Sequence, residues 1–252
     1  MWIYSGKVVA VTGGGSGIGR AGCERLARDG ASVAVLDINL AAAQSTADLV
    51  NRAGGRAIAG FIDVANRESV FATFGAVGTQ FERLDLAVNS AGVGGVPHCL
   101  ENVPEADWEH TIAFNLSGVF YSMQAQFPLL KDGGGTIINI SSVMGMVGCA
   151  DAGPYVAAKH GIVGLTKSAA ISWGKQNIRV VAVCPTFVRT GLNQERTEAE
   201  WVELAALHPL GRLPSLENVA GMIAYLGSDD AAAVSGSVHL VDCGYTAGQG
   251  VG

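Results

Sequence analysis

Three side chains in the middle of the sequence have types and spacing suited to moving a proton on and off an oxygen atom. Tyr155 lies four residues before Lys159 and thirteen residues after Ser142, within the run SSVMGMVGCADAGPYVAAK. Residues four apart share one face of a helix, so the phenol and the ammonium are expected to point the same way. A free phenol has a pKa of about 10, and a nearby cation lowers it toward working pH. Ser142 can then hold a carbonyl or alcohol oxygen against the phenol.

A glycine-rich loop near the N-terminus predicts a dinucleotide site. The apolar run at residues 7–11 predicts a buried strand, and the helical pattern after the loop ends at Gly30. Between them lies TGGGSGIG, in which Gly13, Gly17 and Gly19 permit a tight turn, close approach to phosphate and close helix packing. The exposed amides at the helix start favour a pyrophosphate. The alternative, a flexible turn, is disfavoured because the loop joins a strand to a helix.

An acidic residue ends the second predicted strand and indicates which dinucleotide binds. Asp37 can accept hydrogen bonds from the adenosine ribose hydroxyls, and it would repel a 2′-phosphate. Ile38 and Asn39 carry no positive charge, and the glycine loop has Ser16 where a basic residue would favour the phosphate. These residues predict NAD(H) rather than NADP(H). Asp37 could also cap the helix that begins near Leu40, and the two roles are compatible.

The motif order resembles that of the short-chain dehydrogenase/reductase family over nearly the whole chain. The matching segments are TGGGSGIG, Asp63-Val64, NSAG at 89–92, Asn115, Ser142, YVAAK at 155–159 and CPTFVRT at 184–190. The resemblance implies a Ser–Tyr–Lys–Asn catalytic tetrad, and Ser142 is preferred to Ser141 because it has the family's separation from Tyr155. Together with the residue arguments above, it implies a cofactor site formed by Gly13, Ser16, Gly17, Ile18, Gly19, Asp37, Asp63, Val64, Asn89, Ala91, Gly92, Tyr155, Lys159, Pro185, Val188 and Thr190.

The resemblance also assigns expectations to particular cofactor-binding residues. Asp63 and Val64 would contact the adenine, whereas Val188 and Thr190 would hold the nicotinamide carboxamide. Asn115 lies in a helical stretch that begins after Pro104 and continues toward residue 131. Its amide is expected to divert a backbone carbonyl, bend the helix and leave an acceptor for a water that reaches Lys159.

Two positions depart from the family pattern. Pro185-Thr186 stands where the family usually has Pro-Gly, so Thr186 is expected either to narrow the nicotinamide pocket or to add a hydroxyl to it. Near the C-terminus, VDCG at 241–244 replaces the more usual Val-Asp-Gly-Gly. Neither departure affects the tetrad.

Length and strand pattern predict an α/β fold of the Rossmann type. Strand-like runs recur near 7–12, 32–37, 56–62, 84–89, 135–141, 178–184 and 237–242, with helical stretches between them. This alternation predicts a doubly wound, seven-stranded parallel sheet with helices on both faces. No linker-like segment interrupts it, so residues 1–252 are expected to form a single catalytic domain, with a lid at about 191–213.

Composition excludes several other classes of protein. The net charge of −6, without a basic cluster, argues against nucleic acid or an anionic membrane as a partner. No apolar run approaches transmembrane length, and the start MWIYSGK lacks the features of a signal peptide. Five scattered cysteines are typical of reduced thiols in a cytoplasmic protein, and the five histidines lack metal-ligand spacing.

The substrate is expected to be a small, mainly apolar secondary alcohol or ketone. The residues expected to contact it, besides Ser142 and Tyr155, are Met144, Cys149, Thr186, Phe187 and Trp201, and for each the alternative is an ordinary core position. An NADPH-dependent 3-oxoacyl-thioester reductase is the main rival within the family. A dinucleotide-binding sensor without turnover is a rival from another class.

A homotetramer is expected from the long helices that carry Asn115 and follow Tyr155. Both continue with apolar residues, and the resemblance implies that such helices pair across a two-fold axis. The alternative is that these residues cover the sheet. They are Val119, Phe120, Met123 and Phe127 on the first helix, and Ile162, Leu165, Ala169 and Trp173 on the second. Residues 238–252 are small and apolar, which suits a second interface.

Overall fold

A computed structural model describes residues 3–130, 132–191 and 195–248. Within these ranges the chain forms one seven-stranded sheet in which every neighbouring pair of strands is parallel. The strands are β1 (Val8–Thr12), β2 (Ser32–Asp37), β3 (Arg56–Phe61), β4 (Leu86–Asn89), β5 (Gly135–Ile140), β6 (Ile178–Pro185) and β7 (Val238–Val241). Each begins and ends within two residues of the predicted run. The predicted doubly wound Rossmann-type fold is therefore confirmed.

Helices cover both faces of the sheet because alternate strand residues point to opposite sides. Val9 and Val11 of β1 pack in one apolar core, and Val8 and Ala10 pack in the other. The helices of the described residues are α1 (Gly17–Arg28), α2 (Leu40–Arg52), α3 (Arg67–Phe81), α4 (Glu105–Ile112), α5 (Gly118–Leu130), α6 (Gly153–Trp173), α7 (Glu198–Ala206) and α8 (Leu216–Gly227). The first core takes side chains from α1, α2 and α8, and the second takes them from α3, α5 and α6.

The strand order creates a crevice at the carboxyl ends of the central strands. The order is β3-β2-β1-β4-β5-β6-β7, so the chain leaves β1 in one direction toward β3 and in the other toward β7. Loops after β1 and β4 consequently diverge above the sheet, which is where open α/β sheets bind ligands. Thr12 and Asn89 are register partners at this edge, and Asn139 is the next partner along.

The long helical stretch around Asn115 is not a continuous α-helix. α4 is joined to α5 by a π-helical turn at Ala113–Ser117, and Asn115 lies in the middle of this turn. The expected interruption is present, although the hydrogen bonds of the side chain differ from those predicted, as described below. Residue 131, where the stretch was expected to end, lies outside the described residues.

Most of the apolar residues proposed for a helix-pairing surface are covered by the same chain. Val119 and Met123 of α5, like Ile162 and Ala169 of α6, are 7% exposed or less and pack in the second core. This outcome matches the alternative interpretation, in which the helices cover the sheet. Phe120 is 41% exposed and remains available at the surface.

Among the described residues, no helix is both long enough and apolar enough to cross a membrane.

Candidate active site

A cleft of about 750 Å³ opens at the carboxyl ends of the strands, on both sides of the point where the strand order reverses. It brings together most of the side chains that the sequence nominated. The predicted residues that line it are Gly13, Ser16, Gly17, Ile18, Gly19, Asp37, Val64, Ala91, Gly92, Asn115, Ser142, Met144, Cys149, Tyr155, Lys159, Pro185, Thr186, Phe187, Val188 and Thr190.

Three predicted residues do not line the cleft. Asn89 is 2% exposed, and its amide bonds with Asn139 and Gln126 beneath the site. Asp63 accepts a hydrogen bond from the backbone of Ala65 within its own loop. Trp201, predicted to contact substrate, lies on α7 and is 5% exposed, and the Arg189 guanidinium lies 5.0 Å from its ring centre. Trp201 therefore anchors α7 instead of lining the cleft.

The glycine loop is packed too closely for larger side chains. A Cβ atom on Gly19 would lie 2.1 Å from the carbonyl oxygen of Gly13, and one on Gly13 would lie 2.8 Å from the backbone of Ala91. Gly13 and Gly17 have φ angles of +69° and +50°, a region that favours glycine. Thr190, from the segment after β6, approaches within van der Waals distance of Gly17. The loop is thus a tight cradle that leaves the amides at the start of α1 exposed to the cleft.

Asp37 is fixed by backbone donors on both sides. One carboxylate oxygen accepts from the Gly15 amide at 2.9 Å, and the other accepts from the Asn39 amide at 2.9 Å. The cap of α2 is Asn39, whose side chain accepts from the amide of Ala42, so Asp37 does not cap this helix. The carboxylate consequently lines the cleft in a fixed orientation with lone pairs left for a ligand.

The hydroxyl, phenol and ammonium meet at one wall of the cleft. Ser142 follows β5, and its hydroxyl accepts from the Met144 amide at 3.2 Å and lies beside the Tyr155 phenol, whose ionised form it favours. The Lys159 ammonium lies 5.3 Å from the centre of the Tyr155 ring and donates to the carbonyl of Ile140 at 3.1 Å. Ser141 is committed elsewhere because its hydroxyl donates to the Lys159 carbonyl at 2.9 Å. The preference for Ser142 over Ser141 thus agrees with the geometry.

Burial opposes the charged form of both titratable groups. It raises the pKa of Tyr155 to about 12, although the hydrogen bond from Ser142 acts in the lowering direction. It also lowers the pKa of Lys159 to about 8. The sequence predicted that the ammonium would bring the phenol toward neutrality, whereas in the free protein desolvation is the larger effect. Tyr155 is therefore a protonated acid at neutral pH, and Lys159 remains mostly protonated there.

Asn115 holds the loop after β4 in place. Its side-chain oxygen accepts from the Val93 amide at 3.0 Å, and its side-chain NH₂ donates to the Val93 carbonyl at 3.0 Å. The amide is fully buried. The prediction that this side chain would divert a helix carbonyl is therefore wrong, because its hydrogen-bonding groups are used by the loop after β4. A Cβ atom on Gly92 would lie 2.5 Å from the Asn115 oxygen, which explains the glycine.

Sequence reasoning missed two contributors to the cleft. Arg196 lines it, and its guanidinium lies 5.8 Å from the ring centre of Phe187, so the cleft is not purely apolar. Thr186 lines it as expected, but its hydroxyl bonds to His208 at 3.1 Å. His208 lies 22 residues further along the chain, and nothing around it in the sequence indicates this partner. The Thr-for-Gly departure at position 186 was the one signal that a polar partner was needed.

Comparisons with known proteins agree with this geometry. The family model described as Enoyl-(Acyl carrier protein) reductase matches residues 13–246. A cyclohexanol dehydrogenase of Acinetobacter sp. (strain SE19) is 43% identical over 244 residues, which cover 96% of each chain. A short-chain dehydrogenase/reductase of Pyricularia oryzae (strain 70-15) is 38% identical over 249 residues, covering 94% of this chain and 91% of the relative.

A solved structure has the same fold over its full length. The crystal structure of carveol dehydrogenase from Mycobacterium avium in complex with NAD superposes with a TM-score of 0.93 at 29% identity. The match covers 98% of this chain and 100% of the other. With the glycine cradle and the Ser142–Tyr155–Lys159 group in one cleft, these matches establish that the chain belongs to the short-chain dehydrogenase/reductase family, nicotinamide-dependent enzymes that act on CH–OH groups.

Proposed function

We propose that this enzyme catalyses the reversible, NAD(H)-linked oxidation of a cyclic secondary alcohol to a ketone. The observation that carries this proposal is that a hydroxyl, a phenol and an ammonium share one cleft with the glycine loop. The bound nicotinamide ring supplies the hydride acceptor or donor. Ser142, Tyr155, Lys159 and Asn115 supply the remaining chemistry, which is the positioning of the substrate oxygen and the movement of its proton.

The proton chemistry follows from the protonation states. In the direction of ketone reduction, Tyr155 is protonated and donates its proton to the substrate oxygen, which Ser142 holds by a hydrogen bond. In the direction of oxidation, Tyr155 must accept that proton as a phenolate. The ammonium of Lys159, 5.3 Å from the ring centre, stabilises the phenolate. Asn115 acts on the site by fixing the Val93 loop, and it also serves as the proposed anchor for a relay water.

The cofactor is proposed to be NAD(H), because the residues at the start of the cleft fit its adenosine end. The cradle of Gly13, Gly17 and Gly19 would hold the pyrophosphate, and the fixed carboxylate of Asp37 would accept from the ribose hydroxyls. A 2′-phosphate would lie against this carboxylate at a cost of well over 1.4 kcal/mol, which corresponds to at least about tenfold in kcat/KM.

The substrate class is supported by the cleft wall and by the relatives. Met144, Phe187 and Val93 line the substrate end, giving an apolar surface suited to a hydrocarbon ring. The printed names of two similar proteins specify cyclohexanol and carveol, both cyclic secondary alcohols.

The test is a steady-state assay on a panel of cyclic alcohols with NAD and NADP as alternative oxidants. We expect the NAD-linked oxidation of at least one of them, and a drop of about 10² to 10⁴ in kcat for Tyr155→Phe. NADH affinity, measured by fluorescence, should change little in this variant and so serves as its folding control. Asp37→Ala should reduce the ratio of kcat/KM with NAD to kcat/KM with NADP.

Several outcomes would contradict the proposal. Undiminished turnover by Tyr155→Phe would remove the phenol from the mechanism, and equal kcat/KM with the two cofactors would remove the role of Asp37. Activity confined to acyl thioesters with NADPH would favour the rival reductase. Tight NADH binding without turnover of any alcohol would favour a dinucleotide sensor.

We also propose a homotetramer. Phe120 on α5 and Ile171 on α6 are 41% and 84% exposed, so both helices carry a large apolar side chain that the chain itself does not cover. Phe127 and Trp173, whose ring centres lie 5.0 Å apart in a tilted arrangement, are partly buried on the same two helices. These residues are the ones available to a helix-pairing interface once the sheet-facing ones are excluded.

A further inference from the structure

The wall of the cleft after β6 carries a polar pair that the proposed chemistry does not use. Thr186 lines the cleft, and its hydroxyl lies 3.1 Å from Nε2 of His208. His208 is 2% exposed and does not line the cleft, so its ring lies behind Thr186 as seen from a ligand. The threonine is thus the only member of the pair that a substrate can touch.

The other nitrogen of the ring fixes which partner donates. Nδ1 of His208 lies 2.7 Å from the carbonyl oxygen of Leu204, which can only accept, so Nδ1 carries a hydrogen. In the neutral ring Nε2 then has a lone pair and no hydrogen, and it accepts the hydroxyl proton of Thr186. Thr186 has no second proton to donate. Its oxygen therefore presents only acceptor lone pairs to the cleft.

The ring cannot easily turn over to reverse this arrangement. Its face stacks on Tyr245, with centres 4.9 Å apart and planes 28° apart, and Phe187 meets its edge at 6.4 Å. The turn that carries Tyr245 is held by Asp242, whose carboxylate accepts from the amide and the hydroxyl of Thr246. Burial and stacking together hold the ring in this orientation, so with the neutral ring the Thr186 oxygen keeps its acceptor role toward the cleft.

We propose that Thr186 is a specificity-determining residue whose hydroxyl oxygen accepts a hydrogen bond from a second hydroxyl group of the substrate. The inference rests on the proposed function and names its substrate class, cyclic diols in preference to the matching mono-alcohols. Its neighbours Met144 and Phe187 offer no acceptor of comparable strength. The substrate group that faces the Thr186 oxygen should be a hydrogen-bond donor. An acceptor in its place would meet an oxygen that has no proton to donate to it.

The experiment compares three kinds of substrate in one NAD-linked assay: cyclohexanol, the three regioisomeric cyclohexanediols, and the methoxycyclohexanols in which methylation removes the second donor. Each is tested with wild type, Thr186→Val, Thr186→Ser and Thr79→Val. Thr79 is a matched control, since it is exposed on α3 and its hydroxyl bonds only to the Gly75 carbonyl. The KM for NAD and the melting temperature are recorded for every variant.

We expect wild type to prefer at least one diol over its methoxy counterpart and over cyclohexanol by roughly two- to tenfold in kcat/KM, the range for one neutral hydrogen bond. Thr186→Val should bring the ratio of kcat/KM between that diol and cyclohexanol to about one, without raising the KM for NAD. Thr186→Ser should retain the diol preference, and Thr79→Val should behave as wild type.

Three results would overturn the inference. The first is that Thr186→Val still prefers the diol. The second is that wild type oxidises cyclohexanol but shows no preference for any diol. The third is a rise in the KM for NAD with every substrate, which would assign the Thr186 oxygen to the cofactor. In all three the proposed function stands, whereas failure of wild type to oxidise any alcohol would overturn both.

Discussion

Replacing Asn115 with leucine tests how firmly the buried amide holds the cleft. Both hydrogen bonds of its side chain go to the backbone of Val93, each at 3.0 Å, and Asn115 is fully buried. Leucine has nearly the same volume but leaves the N–H and the C=O of Val93, which face this buried side chain, without a partner. Each such group costs about 1–3 kcal/mol, so the free energy of unfolding should fall by about 2–6 kcal/mol.

The chain contains a matched control with the same hydrogen bonds in a different environment. The side chain of Asn51 accepts from the Ala57 amide at 2.8 Å and donates to the Ala57 carbonyl at 3.0 Å. However, Asn51 is exposed. Ala57 is only 8% exposed, but its N–H and C=O face away from β2 on the open side of the edge strand β3, so water can replace the lost side chain. Asn51→Leu should therefore cost only the net value of two hydrogen bonds, about 1–3 kcal/mol.

The measurement is urea unfolding of both variants and wild type at one fixed protein concentration, because association would otherwise alter the apparent stability. Asn115→Leu should also lose kcat, since the Val93 loop lines the cleft, whereas Asn51→Leu should keep it. If Asn51→Leu were as destabilised as Asn115→Leu, burial would not be what makes the Asn115 pair strong, and the argument would fail.

Two further predictions concern charge and assembly. Burial lowers the pKa of Lys159 from 10.5 to about 8, so between these values the unfolded chain binds a proton that the folded chain lacks, and stability should rise with pH. From pH 7 to 9.5 the free energy of unfolding of wild type, measured with urea, should rise by about 2 kcal/mol more than that of Lys159→Met. An equal dependence on pH in the two proteins would contradict this. Light scattering should give a tetramer mass for wild type and a smaller mass for Ile171→Glu, whereas a fully active wild-type monomer would exclude the interface.

The features that the sequence could predict are those fixed by short-range pattern. β1 and β2 follow from runs of β-branched residues, and the cradle follows from Gly13, Gly17 and Gly19 between a strand and a helix. Tyr155 and Lys159 share a helix face because four residues make about one turn. These properties depend on neighbours along the chain, so no knowledge of the packed structure is needed.

The features that could not be predicted depend on what lies nearby in space. The partner of Asn115 is Val93, 22 residues away, and nothing in either residue's surroundings along the chain indicates this pairing. Trp201 resembles a pocket residue in an amphipathic lid, yet it is buried beneath Arg189. The pKa of Tyr155 is raised, not lowered, because desolvation depends on how completely the site is enclosed.

The π-helical turn at Ala113–Ser117 has a consequence for how this region can change during evolution. Such a turn contains one residue more than an α-helix of the same length, and one residue corresponds to about 100° of helical phase. α5 faces the sheet through Val119 and Met123 only because this extra residue sets its phase relative to α4. A single-residue deletion here would rotate these side chains out of the core, so lineages of this enzyme can accumulate substitutions along the helix far more readily than changes in its length.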